Sequence, residues 1–419
     1  MTEKMKIVFI TPGSGDTFYC GNCLRDNLYA QSLRRAGHDV VILPLYLPIE
    51  GANVEKKPVF FSAAAHYISC MAGQRPLPTW LKKMLSAKPV VSLASSMSGT
   101  TSPVGLEKMT LSMIYGNDKA FLSEAAALVG WIEQHGKPDV VHIATSMLTG
   151  IARVIKERMN VPIVCSLKDE EVWLDKMRAQ FIDLAWRGIA GNIPFVDKFV
   201  TISDFYRQYI QARIPELAEV EVIYPGLVAP QKLTAPPAQP AIGYLSRLNR
   251  DNGADVLCKA FVMLKQRNTI PNLKLKMCGG YTHKDSRFVR EIKRILKPCR
   301  RDAELVQRYD VAQPENFMES VSVLSVPLQF DEGIGLYVCQ AYAAGRPTVM
   351  PATGSFPEIV GNGGLLYQPN EPQRLADALE KILTDQALYE KCRENALAIA
   401  AQRFGDKKSA QALERLYRF

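Results

Sequence analysis

Short apolar runs rich in β-branched residues recur along the chain and alternate with segments of helical spacing. Lys6 to Thr11 (KIVFIT) reads as a strand and Pro12 to Asp16 (PGSGD) as a turn cluster. Asn22 to Ala36 has helical character, with Leu24 and Leu28 one turn apart on one face; Gly37 ends it, and Asp39 to Pro44 (DVVILP) is the next strand. Strand, helix, strand at this spacing predicts a parallel pair with a crossover helix. The pattern returns with strands at Asp139–Ile143, Val161–Leu167, Lys198–Ile202 and Val220–Tyr224, and helices at Leu148–Met159 and Asp204–Arg213. Residues 229–240 (APQKLTAPPAQP) are Pro-rich and aperiodic, the mark of a linker. Beyond them the pattern restarts: strands at Ala241–Leu245, Leu273–Cys278, Val321–Pro327, Pro347–Met350 and Gly364–Tyr367, a helix at Gly253–Arg267, and an almost wholly helical end from Glu371 to Phe419. The expected class is α/β, with two doubly wound halves and a cleft between the strand C-termini of both.

Composition agrees with two globular domains: 419 residues, 47% hydrophobic and 22% charged. Nine scattered cysteines, with no secretory pattern at the start, lead to the expectation of reduced thiols in the cytoplasm. No window offers the roughly 18–20 predominantly apolar residues of a spanning helix. The formal charge of +9 fits a soluble surface, attraction to an anionic ligand or membrane, or nucleic acid. Nucleic acid is set aside, since no zinc-finger spacing, basic zipper or aromatic RNA-binding signature is present. Arg287, Arg290, Lys293, Arg294, Lys297, Arg300 and Arg301 crowd one stretch, at spacings that put several on one helix face.

Gly13-Ser14-Gly15 resembles the start of a dinucleotide fingerprint, but Phe18 stands at the third glycine and no acid ends the second strand. A Gly-rich loop before a helix still presents backbone N–H groups to an anion. Cys20-Gly21-Asn22-Cys23 lacks the further ligands of a zinc site and reads as small residues at a loop-to-helix junction. His142, near a strand end, suits either a ligand contact or a hydrogen bond under the sheet edge. No Gly-x-Ser-x-Gly elbow occurs, which argues against an α/β hydrolase. The most informative stretch is Asp331 to Val360: Glu332 lies in a loop after a strand, and Gly333-Ile334-Gly335-Leu336 opens a helix whose free N–H groups suit a phosphate. Gln340 follows Glu332 by eight residues.

Here the chain resembles the retaining glycosyltransferases of family 4 (glycosyl transferases group 1). That family's mark is two glutamates separated by seven residues, inside E-G-F-G-L-P-x-x-E-A; this chain carries Glu332-Gly333-Ile334-Gly335-Leu336, then Gln340-Ala341, with Gly345, Pro347 and Glu358 in register. Cys20-Gly21 stands at the family's Gly-Gly, Gly37-His38 at its G-H-x-V, Pro138 to His142 at its D-V-V-H, and Ser203 at its strand-end serine. Tyr224-Pro225-Gly226 stands near its N-G turn and Ser246-Arg247-Leu248 at its G-R-L.

The resemblance implies the GT-B fold, two Rossmann-like domains facing each other across a cleft. The expected boundaries are 1–230 for the acceptor-binding domain, with 58–113 an insertion; 231–240 for the linker; 241–395 for the nucleotide-sugar domain; and 396–419 for a C-terminal helix that could cross back to the first domain. The implied reaction is transfer of a sugar, with retention and without a metal, from a nucleotide-diphosphate sugar to a glycan, lipid-linked or small-molecule acceptor. The donor is UDP- or GDP-linked, and no cofactor is implied. The chain has no Asp-x-Asp motif. The implied catalytic set is Glu332, Arg247, Lys168 and Asp169. Arg247 would neutralise the diphosphate, Glu332 would meet the donor sugar, Gln340 the ribose, and the Gly335 and Leu336 amides the phosphate; Asn252, Gly279, Gly280 and Gly333 complete the donor set. Gly13, Gly15, Gly21 and His142 form the acceptor and phosphate loop. The logic is electrostatic, because cleavage of the anomeric bond leaves an oxocarbenium-like sugar and a diphosphate with added negative charge.

The chain departs from the family at three site positions. Asn252 replaces a lysine, Gln340 the second glutamate and Lys168 a histidine. Lys168 has the acids Asp169, Glu170 and Glu171 beside it for an ion pair. The 58–113 stretch, with Trp80 and Leu81 beside Lys82 and Lys83, suits either an amphipathic or membrane contact or an extra helical pair on the N-terminal domain. A peripheral place on the inner membrane face goes with the first reading. Rival readings on the same fold are a nucleotide-sugar epimerase or hydrolase, and a catalytically weakened nucleotide-sugar-binding protein.

Overall fold

The computed structural model describes residues 3–13, 21–45, 63–71, 78, 102–228, 230, 233–306 and 314–419. The chain divides into two compact units: the described residues of Met1–Gly15, Asn22–Ile223 and Ser409–Phe419 form the first, and Gly21 with those of Tyr224–Lys408 the second.

The first unit holds a six-stranded parallel sheet: β1 (Lys6–Thr11), β2 (Asp39–Pro44), β3 (Val140–Ile143), β4 (Ile163–Leu167), β5 (Lys198–Thr201) and β6 (Val220–Val222), in the order β2-β1-β3-β4-β5-β6. Every residue of β3 and β4 is buried, as expected of strands covered on both faces. One core layer joins Ile7, Phe9, Val40, Ile42, Val140, Val164 and Val200 to Tyr29 and Leu33 of the helix Gly21–Arg35, and to Leu413, Leu416 and Tyr417 at the C-terminus. That terminus is fastened at three points: His38 Nε2 lies 3.0 Å from Glu414 Oε1, His142 Nδ1 2.6 Å from Tyr417 Oη, and Lys198 Nζ donates to the Leu416 and Arg418 carbonyls at 2.8 Å.

The second unit repeats the plan with β7 (Ala241–Leu245), β8 (Lys274–Cys278), β9 (Ala303–Leu305), β10 (Val323–Leu324), β11 (Thr348–Pro351) and β12 (Gly364–Tyr367), ordered β12-β11-β10-β7-β8-β9 and parallel throughout. The chain winds outward from β7 through β8 to β9, then restarts at β10 on the other side of β7. The winding therefore reverses between β7 and β10, the position where α/β sheets bind ligands beyond their strand C-termini.

Several elements differ from the sequence reading. The helix expected at Leu148–Met159 is a separate 3₁₀ turn, Ser146–Leu148, and a helix, Gly150–Met159, because the Thr149 hydroxyl donates to the Ser146 carbonyl at 2.7 Å and closes the turn. The strand expected over Val321–Pro327 is only Val323–Leu324. The helical end breaks at Asp385, whose side chain caps Leu388 N at 2.9 Å, so helices run Pro372–Thr384, Gln386–Arg403 and Asp406–Leu416. The helices Lys119–Gln134 and Ala179–Gly191 escaped the pattern.

The described helices Ala63–Met71, inside the expected insertion, and Glu107–Tyr115, which runs two residues past its end, are part of the first unit. His66 Nε2 meets Ser112 Oγ at 3.1 Å, Trp173 Nε1 donates to Thr110 Oγ1 at 3.1 Å, and Arg178 Nε donates to Glu107 Oε1 at 2.7 Å. Trp80, Leu81, Lys82 and Lys83 lie outside the described residues. No helix among the described residues is long and apolar enough to cross a membrane.

Candidate active site

In the second unit, loops from four neighbouring strands are stitched together by their main chains. After β7, Leu248 N donates to Gly280 O at 2.9 Å, joining the β7 loop to the β8 loop. Gly279 packs so tightly there that a Cβ would stand 2.1 Å from Ser246 O. After β10, Gln329 N donates to Asp251 O at 2.8 Å. After β11, Ser355 N donates to Glu332 O at 2.9 Å. Arg247, Asn252, Gly279, Gly280 and Glu332 therefore occupy one connected set of loops at the β7–β10 reversal. Glu332 is half-buried, Gly333 and Gly335 are buried, and the helix Leu336–Ala343 starts immediately after them. Gln340 is half-buried on that helix. An anion at this helix start meets amide N–H groups and the positive end of the helix dipole.

The charges in these loops are largely compensated. Arg247 donates from Nε and Nη2 to Asp285 Oδ2 at 3.0 and 2.8 Å, and from Nη2 to Thr282 Oγ1 at 2.9 Å. Asn252 is an internal brace: its Nδ2 donates to Ser246 Oγ at 2.8 Å and Arg247 O at 3.1 Å, and its N to Asn249 Oδ1 at 2.9 Å. Arg250 pairs with Glu291 at 2.6 Å and stacks 5.1 Å from the Phe288 ring centroid.

The candidates of the N-terminal half are placed differently. Gly13 follows β1 and Gly21 opens the helix Gly21–Arg35, while Gly15 lies outside the described residues. His142 is fully buried, stacked on Phe9 at 4.5 Å between ring centroids, with Nε2 2.8 Å from Ser166 Oγ and Nδ1 held by Tyr417. Burial, reinforced by the Lys168 charge, lowers its pKa to about 3, so it is a neutral brace under the sheet. That placement removes it from the acceptor-contacting set. Lys168 is also buried, and its ammonium pairs with Asp26 of the helix Gly21–Arg35, not with the acids beside it in sequence. Asp169 is half-buried and turns the chain with φ at +49°. Glu170 receives Lys168 N at 2.6 Å, Tyr206 Oη at 2.7 Å, Thr145 Oγ1 at 3.1 Å and Ser146 N at 3.2 Å. Tyr206 Oη also lies 2.8 Å from Glu171 Oε2. Burial, with the Asp169 charge beside it, pushes Glu171 up to about 8.

Residues 228–398 match the family profile of glycosyl transferases group 1, and residues 27–226 match that of the glycosyl transferase 4-like domain. The chain belongs to the group 1 glycosyltransferases. Among curated relatives of this glycosyltransferase chain, the D-inositol 3-phosphate glycosyltransferase of Corynebacterium aurimucosum is 31% identical over 202 residues, 45% of each protein. The protein of that name from Corynebacterium jeikeium is 30% identical over 223 residues, 49% of this chain and 50% of the relative. The chain thus spans about half the length of the curated relatives it matches. Sucrose-phosphate synthase from Thermosynechococcus elongatus superposes with a TM-score of 0.71 at 17% identity, covering 99% of this chain and 98% of that one. HepE from Anabaena, solved with UDP, gives 0.67 at 16% identity over 98% and 99%. At these identities the likeness establishes the GT-B fold.

The glycosyltransferase also carries partners that sequence spacing concealed. Asp285 meets Arg247 from 38 residues away and Asp26 meets Lys168 from 142 away. Tyr224 donates to Glu358 Oε1 at 2.5 Å across 134 residues. Among the described residues, no group of three or more His, Cys, Asp or Glu side chains is placed to hold a metal ion. The basic stretch is a helix, Ser286–Ile295, followed by a distinct 3₁₀ turn, Lys297–Asp302, in which Cys299 leaves helical geometry. All seven of its basic side chains are exposed. Residues 287–301 hold those seven cations and one acid, Glu291, so this stretch carries six of the chain's nine net positive charges.

Proposed function

We propose that the protein transfers a sugar from a nucleotide-diphosphate sugar to an acceptor hydroxyl, with retention at the anomeric carbon and without a resident metal. The observation that carries this reading is the connected set of loops at the β7–β10 reversal, which joins Arg247, Gly279, Gly280 and Glu332 to the helix start at Gly335 and Leu336. Arg247 and the helix-start amides take up the charge that grows on the leaving diphosphate, Glu332 faces the donor sugar, and Gln340 accepts from a ribose hydroxyl. On the acceptor side the Asp169 turn is the contact, and Lys168, tied to Asp26, holds that turn in place.

Uridine is the favoured donor base, since HepE, which shares the fold, was solved in complex with UDP. The names of the curated relatives support a phosphorylated polyol as acceptor, beside glycan or lipid-linked alternatives. The exposed basic stretch supports work at an anionic membrane surface. A second reading, a weakened donor-binding protein, draws support from Asn252, whose side chain is engaged in bracing its own loop.

The test is incubation with α-linked UDP- and GDP-sugars and candidate acceptors, including D-inositol 3-phosphate, followed by NMR of the anomeric proton. An α-linked product is expected. A β-linked product contradicts retention, free sugar alone favours a hydrolase, and donor binding without turnover favours the binding protein.

A further inference from the structure

We infer that Asp285 is a positioning residue of the donor diphosphate subsite: it fixes the Arg247 guanidinium in one orientation while cancelling its charge. The inference rests on the donor reading above. One carboxylate oxygen, Asp285 Oδ2, receives four donors: Arg247 Nε at 3.0 Å, Arg247 Nη2 at 2.8 Å, Thr282 N at 2.8 Å and Thr282 Oγ1 at 2.7 Å. Thr282 and Asp285 cap each other at the turn after β8, so the carboxylate is itself anchored before it meets the guanidinium. The side chains of Arg247 and Asp285 are 21% and 11% exposed, where a charge pair is screened less than at the surface. Asn252 is neutral where the resembling family has a lysine, and Arg250 is committed to Glu291. The subsite therefore offers a diphosphate a guanidinium fixed in orientation, with little net positive charge.

This arrangement has a kinetic consequence. The nucleoside diphosphate product carries more negative charge than the donor, so a strongly cationic site would hold the product most tightly of all. A compensated arginine keeps its orientation but binds the product less tightly, which favours release, a step that limits many enzymes. Asp285 thus lowers affinity for product in exchange for turnover.

The experiment compares the full-length parent with Asp285→Asn and Asp285→Ala, using UDP and GDP as probes in titration calorimetry at low and high salt, with donor KM and kcat measured in parallel. Asparagine keeps an acceptor for the guanidinium and removes the charge. Asp285→Asn should bind the nucleoside diphosphate about tenfold more tightly, with a lower donor KM, a lower kcat and a steeper salt dependence. Asp285→Ala frees the guanidinium and should bind more weakly than the parent. The parent itself should show a shallow salt dependence, a measurement that needs no variant to fold. Equal or weaker binding by folded Asp285→Asn, or steep salt dependence in the parent, overturns the inference alone. No binding of either nucleotide by the parent overturns the donor reading together with it.

Discussion

Gly253 lies against the main chain of Pro327: with φ at +68°, a Cβ on Gly253 would stand 1.8 Å from the Pro327 carbonyl oxygen. This contact sets the loop after β7, which carries Arg247 and Asn252, directly on the segment that leads from β10 to Glu332. Glycine is required twice over here, once for its left-handed backbone and once for the approach. Gly253→Ala should destabilise the fold by about 1–3 kcal/mol and weaken nucleoside diphosphate binding in the protein that remains folded. Chemical denaturation with parallel calorimetry checks this, and an unchanged midpoint would show that the loops do not rest on this contact.

The neutral residues in the site are not equivalent. Restoring the family's charges at Asn252 and Gln340 looks from sequence like a matched pair of improvements. In the structure Asn252 donates to Ser246 Oγ and Arg247 O, so Asn252→Lys removes two braces from the loop that carries the arginine. Gln340→Glu changes a half-buried side chain with little alteration of shape. Gln340→Glu alone should tighten donor binding severalfold by giving the ribose a charge-assisted acceptor, about 1 kcal/mol. Asn252→Lys alone should lower the melting temperature and gain less than a free cation would. Equal gains from both single variants in calorimetry would contradict this ordering.

The contrast between Asn252 and Gln340 shows what was legible in the sequence. Strand ends and the turns that follow them were readable, because β-branched runs, Gly-Gly after β8 and the Glu332 to Leu336 helix opening are local patterns. The partner of each functional side chain was not. Lys168 sits among three neighbouring acids in sequence yet pairs with Asp26, because the turn at Asp169 and the satisfied Glu170 carboxylate leave its ammonium facing another helix. His142 carried a strand-end signal that suits ligands, but Tyr417 and Ser166 hold both its nitrogens. Asp285 carried no signal beyond its capping spacing from Thr282, which is ordinary until an arginine 38 residues away is folded onto it.

Glu171 supplies a pH signature. Its pKa is pushed up to about 8 from the ordinary 4.5, by burial first and the Asp169 charge second. The folded chain therefore keeps a proton that the unfolded chain has released over that interval. The stabilisation is complete below the unfolded value and is lost as pH rises through the folded one. Urea midpoints of the parent should fall between about pH 5 and pH 8.5, and Glu171→Gln, neutral throughout, should flatten that fall. Parallel curves for the two proteins would remove Glu171 as the cause.

The basic stretch makes a separate claim about location. Each exposed cation near an anionic bilayer contributes about 1 kcal/mol, and the attraction is screened by salt. The protein should sediment with phosphatidylglycerol vesicles at low salt and release at about 0.5 M salt. Arg287→Glu with Lys293→Glu and Arg300→Glu should abolish the association without altering nucleotide binding. Sedimentation that persists in the triple variant would place the contact elsewhere, and no sedimentation at low salt would remove the membrane reading.

The central claim is that the loop after β7 holds a nucleoside diphosphate through Arg247. Titration calorimetry of UDP and GDP into the parent and into Arg247→Ala tests it most directly. Loss of a charge-assisted contact worth about 1.5–3 kcal/mol should weaken binding of the preferred nucleotide by about tenfold or more. Glu332→Gln, measured alongside, should keep that affinity while losing turnover. Equal affinity in the parent and Arg247→Ala, or no binding in either, would contradict the account.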